Sequence, residues 1–141
     1  MSIEQNKTIA RRHYEEAKNL EVAFEMIAPE VVWHGFPGMP HNYEGWKLAH
    51  EAFVAAFPDM ELTVEDQVAE GNAVVSRWTF RGTHQGELQG IPPTGKQVIC
   101  SGVSIDRVAN GKVVEHWIEF DQLGMMQQLG VVPPPEQNEI Q

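Results

Sequence analysis

Asp121 is the residue best placed for acid–base chemistry. It stands where the last β-prone run, KVVEHWIEF, gives way to the helical segment LGMMQQL. A carboxylate at such a junction caps the following helix or projects into the mouth of a pocket, and on sequence alone both readings stand. With Trp117, Phe120 and Glu119 as neighbours, apolar surroundings and a second carboxylate push its pKa up, toward the range of a working general base or acid. His34 and His84 come next. Each ends an extended run at the edge of a Gly/Pro-rich stretch, PGMPH and QGELQGIPPTGK, and sites form preferentially on loops held by a rigid scaffold. His13, His41 and His50 fall on helix or loop and read as solvated or hydrogen-bonded histidines. No HxH, HExxH or His-plus-carboxylate spacing occurs, so no metal centre is expected. GxGxxG and GxSxG are absent as well, and GIPPTGK (90–96) is followed by Gln97 where a phosphate-binding GxxxxGK loop carries Ser or Thr. Cys100, inside a strand-like run, reads as a small core filler rather than a nucleophile. What remains is cofactor-free acid–base chemistry on an organic molecule, or plain binding.

The elements that must position these groups follow from periodicity. Asn6 can cap a first helix with Ala10, Tyr14 and Ala17 on one face. Asn19 stops it and caps a second, whose stripe Leu20, Ala23, Phe24 and Ile27 ends at Pro29. VVWHGF (31–36) is a short strand. Trp46, Ala49, Phe53 and Ala56/Phe57 mark a third helix, stopped by Pro58. Beyond Pro58 the period changes from helical to alternating: Met60, Leu62 and Val64 open a strand, and Gly71-Asn72 turns it into AVVSRWTFRGTH. QGELQGIPPTGK is an excursion longer than a hairpin needs, which makes it a candidate functional loop. Asn110-Gly111 then joins QVICSGVSIDRVA to KVVEHWIEFD as a hairpin. Helices first, an antiparallel meander next and a closing helix give an α+β chain, with helices on one face of a curved sheet and a pocket between them.

A two-residue turn at Asn110-Gly111 pairs Val108 with Val113, Ser104 with Trp117 and Cys100 with Asp121. One face then holds Cys100, Gly102, Ser104, Asp106, Glu115, Trp117, Glu119 and Asp121. The other holds Ile99, Val103, Ile105, Val114, His116, Ile118 and Phe120. The mixed face is the expected pocket wall, and its carboxylates place part of the protein's negative charge there. The apolar face is the expected dimer surface, because a sheet covered by helices on one side needs a second cover.

Composition bounds the partners. The 141 residues carry 20 acidic against 10 basic side chains, a net charge of −10. No Lys/Arg cluster exists to meet phosphates, which excludes nucleic acid and anionic membranes as partners. A lone Cys forms no internal disulfide, and neither a signal-like N-terminus nor a long apolar run is present. The expectation is a soluble cytoplasmic protein with one domain over 1–130 and an irregular tail over 131–141.

RGTHxGxxxGIPPTGK, NGKVVEHW and the ending FDxxGxxxQLG carry a resemblance to the SnoaL-like polyketide cyclase family of the nuclear transport factor 2-like superfamily, extending from about Val31 to Gly130. The resemblance implies a cone-shaped α+β barrel of the cystatin-like type, a mixed or antiparallel sheet wrapped over N-terminal helices, commonly dimeric or larger. It also implies a deep apolar pocket, no cofactor, and ring closure by intramolecular aldol condensation. In that family the Asp ending the final strand, Asp121 here, is the proposed acid/base. His34 and His84 match its motif histidines. The expected substrate is a small neutral apolar carbonyl compound, with Asp121 and His34 catalytic. Trp33, Trp78, Phe80, His84, Ser104, Trp117 and Glu119 are the expected contacts. Epoxide opening or hydroxylation in the same pocket, and non-catalytic binding, are the rivals.

Overall fold

The computed structural model describes residues 2–133. The irregular tail expected over 131–141 therefore falls mostly outside the described residues. The elements are α1 (Ile3–Glu15), α2 (Leu20–Glu25), β1 (Ile27–His34), α3 (Tyr43–Ala56), β2 (Glu61–Glu70), β3 (Ala73–Thr83), β4 (Gln97–Ala109), β5 (Lys112–Phe120) and α4 (Gln122–Leu129). No described helix is long and apolar enough to cross a membrane.

Helix α1 begins earlier than the Asn6 cap implied. The Ser2 hydroxyl accepts from the Gln5 N–H (3.1 Å) while the Gln5 side chain accepts from the Ser2 N–H (2.8 Å), a reciprocal capping box. Asn6 is instead buried inside the helix. Asn19 and Asn42 cap α2 and α3 through Val22 and Gly45 N–H. Ile27 and Pro29 belong to β1, not to α2. Pro29 lies within a register break between Ile27 and Val32 on the edge strand, where a missing N–H costs no ladder bond.

The strands form one curved sheet in the order β1-β5-β4-β3-β2, with β1 parallel to β5 and every other pair antiparallel. It is open: β1 and β2 are free edges, so the expected barrel does not close. Helices α1 and α3 lie against the sheet, and α4 folds back onto β4. β4 alternates buried and exposed residues almost without exception, turning Val98, Cys100, Gly102, Ser104, Asp106 and Val108 inward. A Cβ on Gly102 would come within 2.4 Å of the Trp78 indole, so only glycine lets that ring lie across β4.

The β4–β5 hairpin corrects the expected register. Val108 pairs with Val113 as the turn predicts, but Arg107 then pairs with Glu115 and Ser104 with Ile118. Val114 is the extra residue of a β-bulge. One unpaired residue exchanges the faces of everything beyond it. His116, Ile118 and Phe120 therefore join Gly102, Ser104 and Asp106 on the helix side. Glu115, Trp117 and Glu119 join Ile99, Val103 and Ile105 on the outer side. Of the carboxylates assigned to the pocket face, only Asp106 is buried.

The excursion between β3 and β4 is ordered. Gln85 and Gly86 N–H groups bond the Ala56 carbonyl at 2.9 and 3.1 Å, and Leu88 bridges to Ile91 with its side chain buried. These contacts dock it on the end of α3.

Candidate active site

The cavity lies between the sheet and the N-terminal helices, with a volume of about 100 Å³ and walls that are mostly apolar. Trp33, Trp78 and Phe80 line it, as expected, with Phe36, Phe53, Ile118 and Phe120. Its polar groups are Tyr14 and three histidines: His13 from α1, His50 from α3 and His116 from β5.

Behind that wall sits Asp106, fully buried. Its Oδ1 lies 2.5 Å from His116 Nδ1, and its Oδ2 accepts the Tyr14 hydroxyl. Burial pushes the Asp106 pKa up. The His116 ring beside it, the His116 hydrogen bond, His13 and the Tyr14 hydroxyl outweigh that effect and hold the carboxyl below its ordinary value. The same burial, and then the Asp106 charge, drive the Tyr14 phenol well above its ordinary value. Tyr14 is therefore a fixed hydrogen-bond donor to the carboxylate.

The tautomers follow from the partners. An ionised Asp106 only accepts, so His116 Nδ1 carries a proton, and in the neutral form of the ring the lone pair is on Nε2. His50 Nε2 lies 2.6 Å from the Ala17 carbonyl and donates to it. His13 differs from both. Its Nδ1 is buried without a partner. Desolvation lowers its pKa to about 3, against the pull of Asp106 and with help from His116 and His50.

The buried imidazole makes the protein sensitive to acid. Unfolded His13 takes a proton near its ordinary 6.5, and folded His13 only near 3. The unfolded state thus holds more protons across that window, and stability falls as pH drops below 6.5. From pH 6.5 to 5 the loss from this residue is about 2 kcal/mol. Urea unfolding at pH 7 and pH 5 should show His13→Phe losing that much less than the wild type. Equal losses would mean that His13 titrates normally.

Donor atoms of His13, Asp106 and His116 lie within 4.8 Å of one another. Two ligands of one metal at about 2.0–2.1 Å stand at least about 2.9 Å apart in octahedral or tetrahedral geometry. The 2.5 Å contact between His116 Nδ1 and Asp106 Oδ1 is closer than that and is a hydrogen bond.

Six of the expected site residues lie elsewhere. Asp121 is exposed and caps α4, its Oδ1 accepting the Gly124 N–H at 2.8 Å. His34 is on the outer side of the sheet, stacked on Trp117 at 4.8 Å between centroids and bonded to Glu115 at 2.9 Å. The bulge at Val114 puts Trp117 and the exposed Glu119 on that side too. His84 is buried under the excursion, its Nδ1 accepting the Thr94 N–H. Ser104 faces inward but does not line the cavity, and its hydroxyl accepts the Trp78 indole N–H at 2.9 Å. Sequence reasoning missed His13, Tyr14, His50, Asp106 and His116 as a group. Tyr14 was placed on the buried stripe of α1, and its neighbour His13 shares that helix. Cys100 does line the cavity, with a thiol pushed up to about 11 by burial and then by Asp121.

The profile of the SnoaL-like polyketide cyclase family matches residues 8–129. Aklanonic acid methyl ester cyclase DauD of Streptomyces sp. (strain C5) is 29% identical over 119 residues, covering 76% of this chain and 73% of that protein. Among solved structures, AclR of Streptomyces galilaeus, described as a candidate hydroxylase, superposes with a TM-score of 0.86 at 29% identity, over 99% of this chain and 89% of that one. IdmH of Streptomyces antibioticus, described as a candidate polyketide cyclase, superposes with a TM-score of 0.75 at 39% identity, over 89% of this chain and 98% of that one.

Proposed function

Because the chain belongs to the SnoaL-like polyketide cyclase family, we propose that it closes a ring in a neutral polyketide-like carbonyl compound by an aldol step, with His116 as the base. The observation that carries this reading is the buried Asp106–His116 pair, set in the wall of an apolar cavity. It moves the acid/base role from Asp121 to His116. The His116 Nε2 lone pair removes a proton from a carbon flanked by two carbonyls, leaving an enolate. The enolate carbon bonds to a second carbonyl carbon of the same molecule. The resulting alkoxide takes the proton back from His116. Asp106 holds the ring in the required tautomer and offsets its transient positive charge. Holding both reacting carbons in one small cavity converts the step into a favourable intramolecular one.

The cavity is smaller than the roughly 150 Å³ that accommodates benzene in a dry protein cavity. A groove of about 310 Å³ adjoins it, sharing Tyr14, Ala17, Met60 and Leu62 as walls. A polyketide would place its reacting end inside and the remainder along that groove.

Ethyl acetoacetate deuterated between its carbonyls tests the base directly. Wild-type protein should accelerate loss of the deuteron, and His116→Phe should remove about 10²–10⁴-fold of that acceleration. Undiminished exchange in the variant would assign the base elsewhere. A second reading has His116 deprotonate a water that attacks an epoxide carbon of the substrate, the epoxide oxygen taking the proton to give a diol. That product is heavier than the substrate by one water, whereas an aldol closure conserves mass.

The outer sheet face also supports the homodimer. Ile99, Val103 and Ile105 are 55%, 43% and 38% exposed, in line on β4, and no helix among the described residues covers them. A second copy packed face to face would bury that row in both protomers. Light scattering should give a dimer for the wild type and a monomer for Ile105→Lys. A monomeric wild type at micromolar concentration would refute this packing.

A further inference from the structure

The mechanism above leaves His13 without a task, although it shares the cavity wall with His116, their ring centroids 5.6 Å apart. We propose that His13 donates a hydrogen bond from Nε2 to the carbonyl oxygen of the substrate, beside the carbon that His116 deprotonates, and so selects neutral ketones and β-dicarbonyls. This deepens the aldol reading and rests on it.

The argument begins with the orphaned nitrogen. His13 Nδ1 is sealed from solvent and has no partner among the described residues. A neutral imidazole has one N–H and one lone pair to distribute. Burying an N–H without an acceptor costs more than leaving a lone pair unused, since unpaired buried donors are the rarer case in folded proteins. The lone pair therefore stays on Nδ1, and the proton is on Nε2, the nitrogen not sealed away. Tyr14 and Trp46 fix the ring, with centroids at 4.9 and 6.1 Å. His13 and His116 thus present opposite functions to the same space, a donor and a base.

That pairing is what enolisation requires. As a proton leaves the carbon, negative charge gathers on the carbonyl oxygen, and a donor already aimed there gains strength as the reaction proceeds. Burial keeps the ring neutral through the physiological range, so it donates without surrendering its proton. Asp106, one layer behind, disfavours a second anion in the cavity. Carboxylates and phosphates are excluded on that ground, and a neutral carbonyl oxygen is accepted.

Two probes test the assignment. Acetone, whose single carbonyl and four heavy atoms suit the small cavity, reports the hydrogen bond. In nitrogen-15 spectra of the wild-type histidines, His13 should show a protonated Nε2 and a bare Nδ1, and its Nε2 proton should move downfield on saturation. An Nδ1-protonated ring, or no movement, overturns the proposal without the need for any variant. Ethyl acetoacetate exchange reports the consequence. His13→Leu should lower kcat by about 10²–10³-fold with KM little changed, and His13→Gln, whose amide can donate, should recover about tenfold of that loss. A Gln variant as slow as Leu, or a Leu variant as fast as wild type, also overturns it. If wild type exchanges the deuteron while the His13 resonance stays fixed, His13 is misassigned and the His116 base stands. If the resonance moves but nothing exchanges, the base reading fails instead.

Discussion

Asp106→Asn should slow turnover of a confirmed substrate by about 10⁴-fold while leaving its affinity within about tenfold of wild type. The expectation follows from the tautomer. Asp106 accepts from both His116 Nδ1 and the Tyr14 hydroxyl. An asparagine can accept at one side only. If its oxygen keeps the tyrosine, its NH₂ faces His116 Nδ1, which must then supply the lone pair. The proton moves to Nε2, and the cavity loses its base. If its oxygen keeps the histidine, the Tyr14 hydroxyl faces an amide donor, and no negative charge offsets the imidazolium. The cavity itself is unchanged in shape, so binding persists. Activity within tenfold of wild type in a folded Asp106→Asn protein would exclude the pair as the reacting group.

Phe57→Ala should reduce stability by about 3–5 kcal/mol, a large part of the 5–15 kcal/mol typical of a domain. Phe57 is fully buried, with ring centroids of Phe80 at 5.0 Å, His84 at 5.5 Å and Phe53 at 6.3 Å. It also lies against Gly82, where a Cβ would come within 3.0 Å of its own, so the phenyl ring is packed on the backbone of β3. Removing the ring leaves a void that α3 cannot collapse into, because Ala56 anchors the excursion through two hydrogen bonds. The melting temperature should drop by about 10–20 °C. A fall of less than 1 kcal/mol in urea unfolding would show that the site repacks.

Much of the architecture was legible because it rests on local signals. Asn19 caps α2, Pro58 ends α3, Gly130 ends α4, and Asn110-Gly111 turns the hairpin. Trp33, Trp78 and Phe80 were recognisable as cavity walls for the same reason: each is a large aromatic on the buried phase of a strand. Both capping and projection were open for Asp121, and the structure shows the cap. The polar centre was not legible. His13, Asp106 and His116 are 93 and 10 residues apart in sequence, so no spacing motif links them, and they meet only through packing of α1 on the sheet. The Asp106–His116 pairing depends further on one extra residue at Val114, for which the turn chemistry gives no sign. Without that bulge Trp117 would face the helices and His116 the outside.

Cys100 offers a direct view of cavity occupancy. It is the single thiol of the chain, in the cavity wall, with its pKa at about 11. Alkylation of the native protein is therefore slow, and the reagent must enter the cavity to reach the thiol. A guest that occupies the cavity slows labelling by the factor 1 + [L]/Kd. One mass measurement per compound would then rank prospective substrates by occupancy, before any product has been seen.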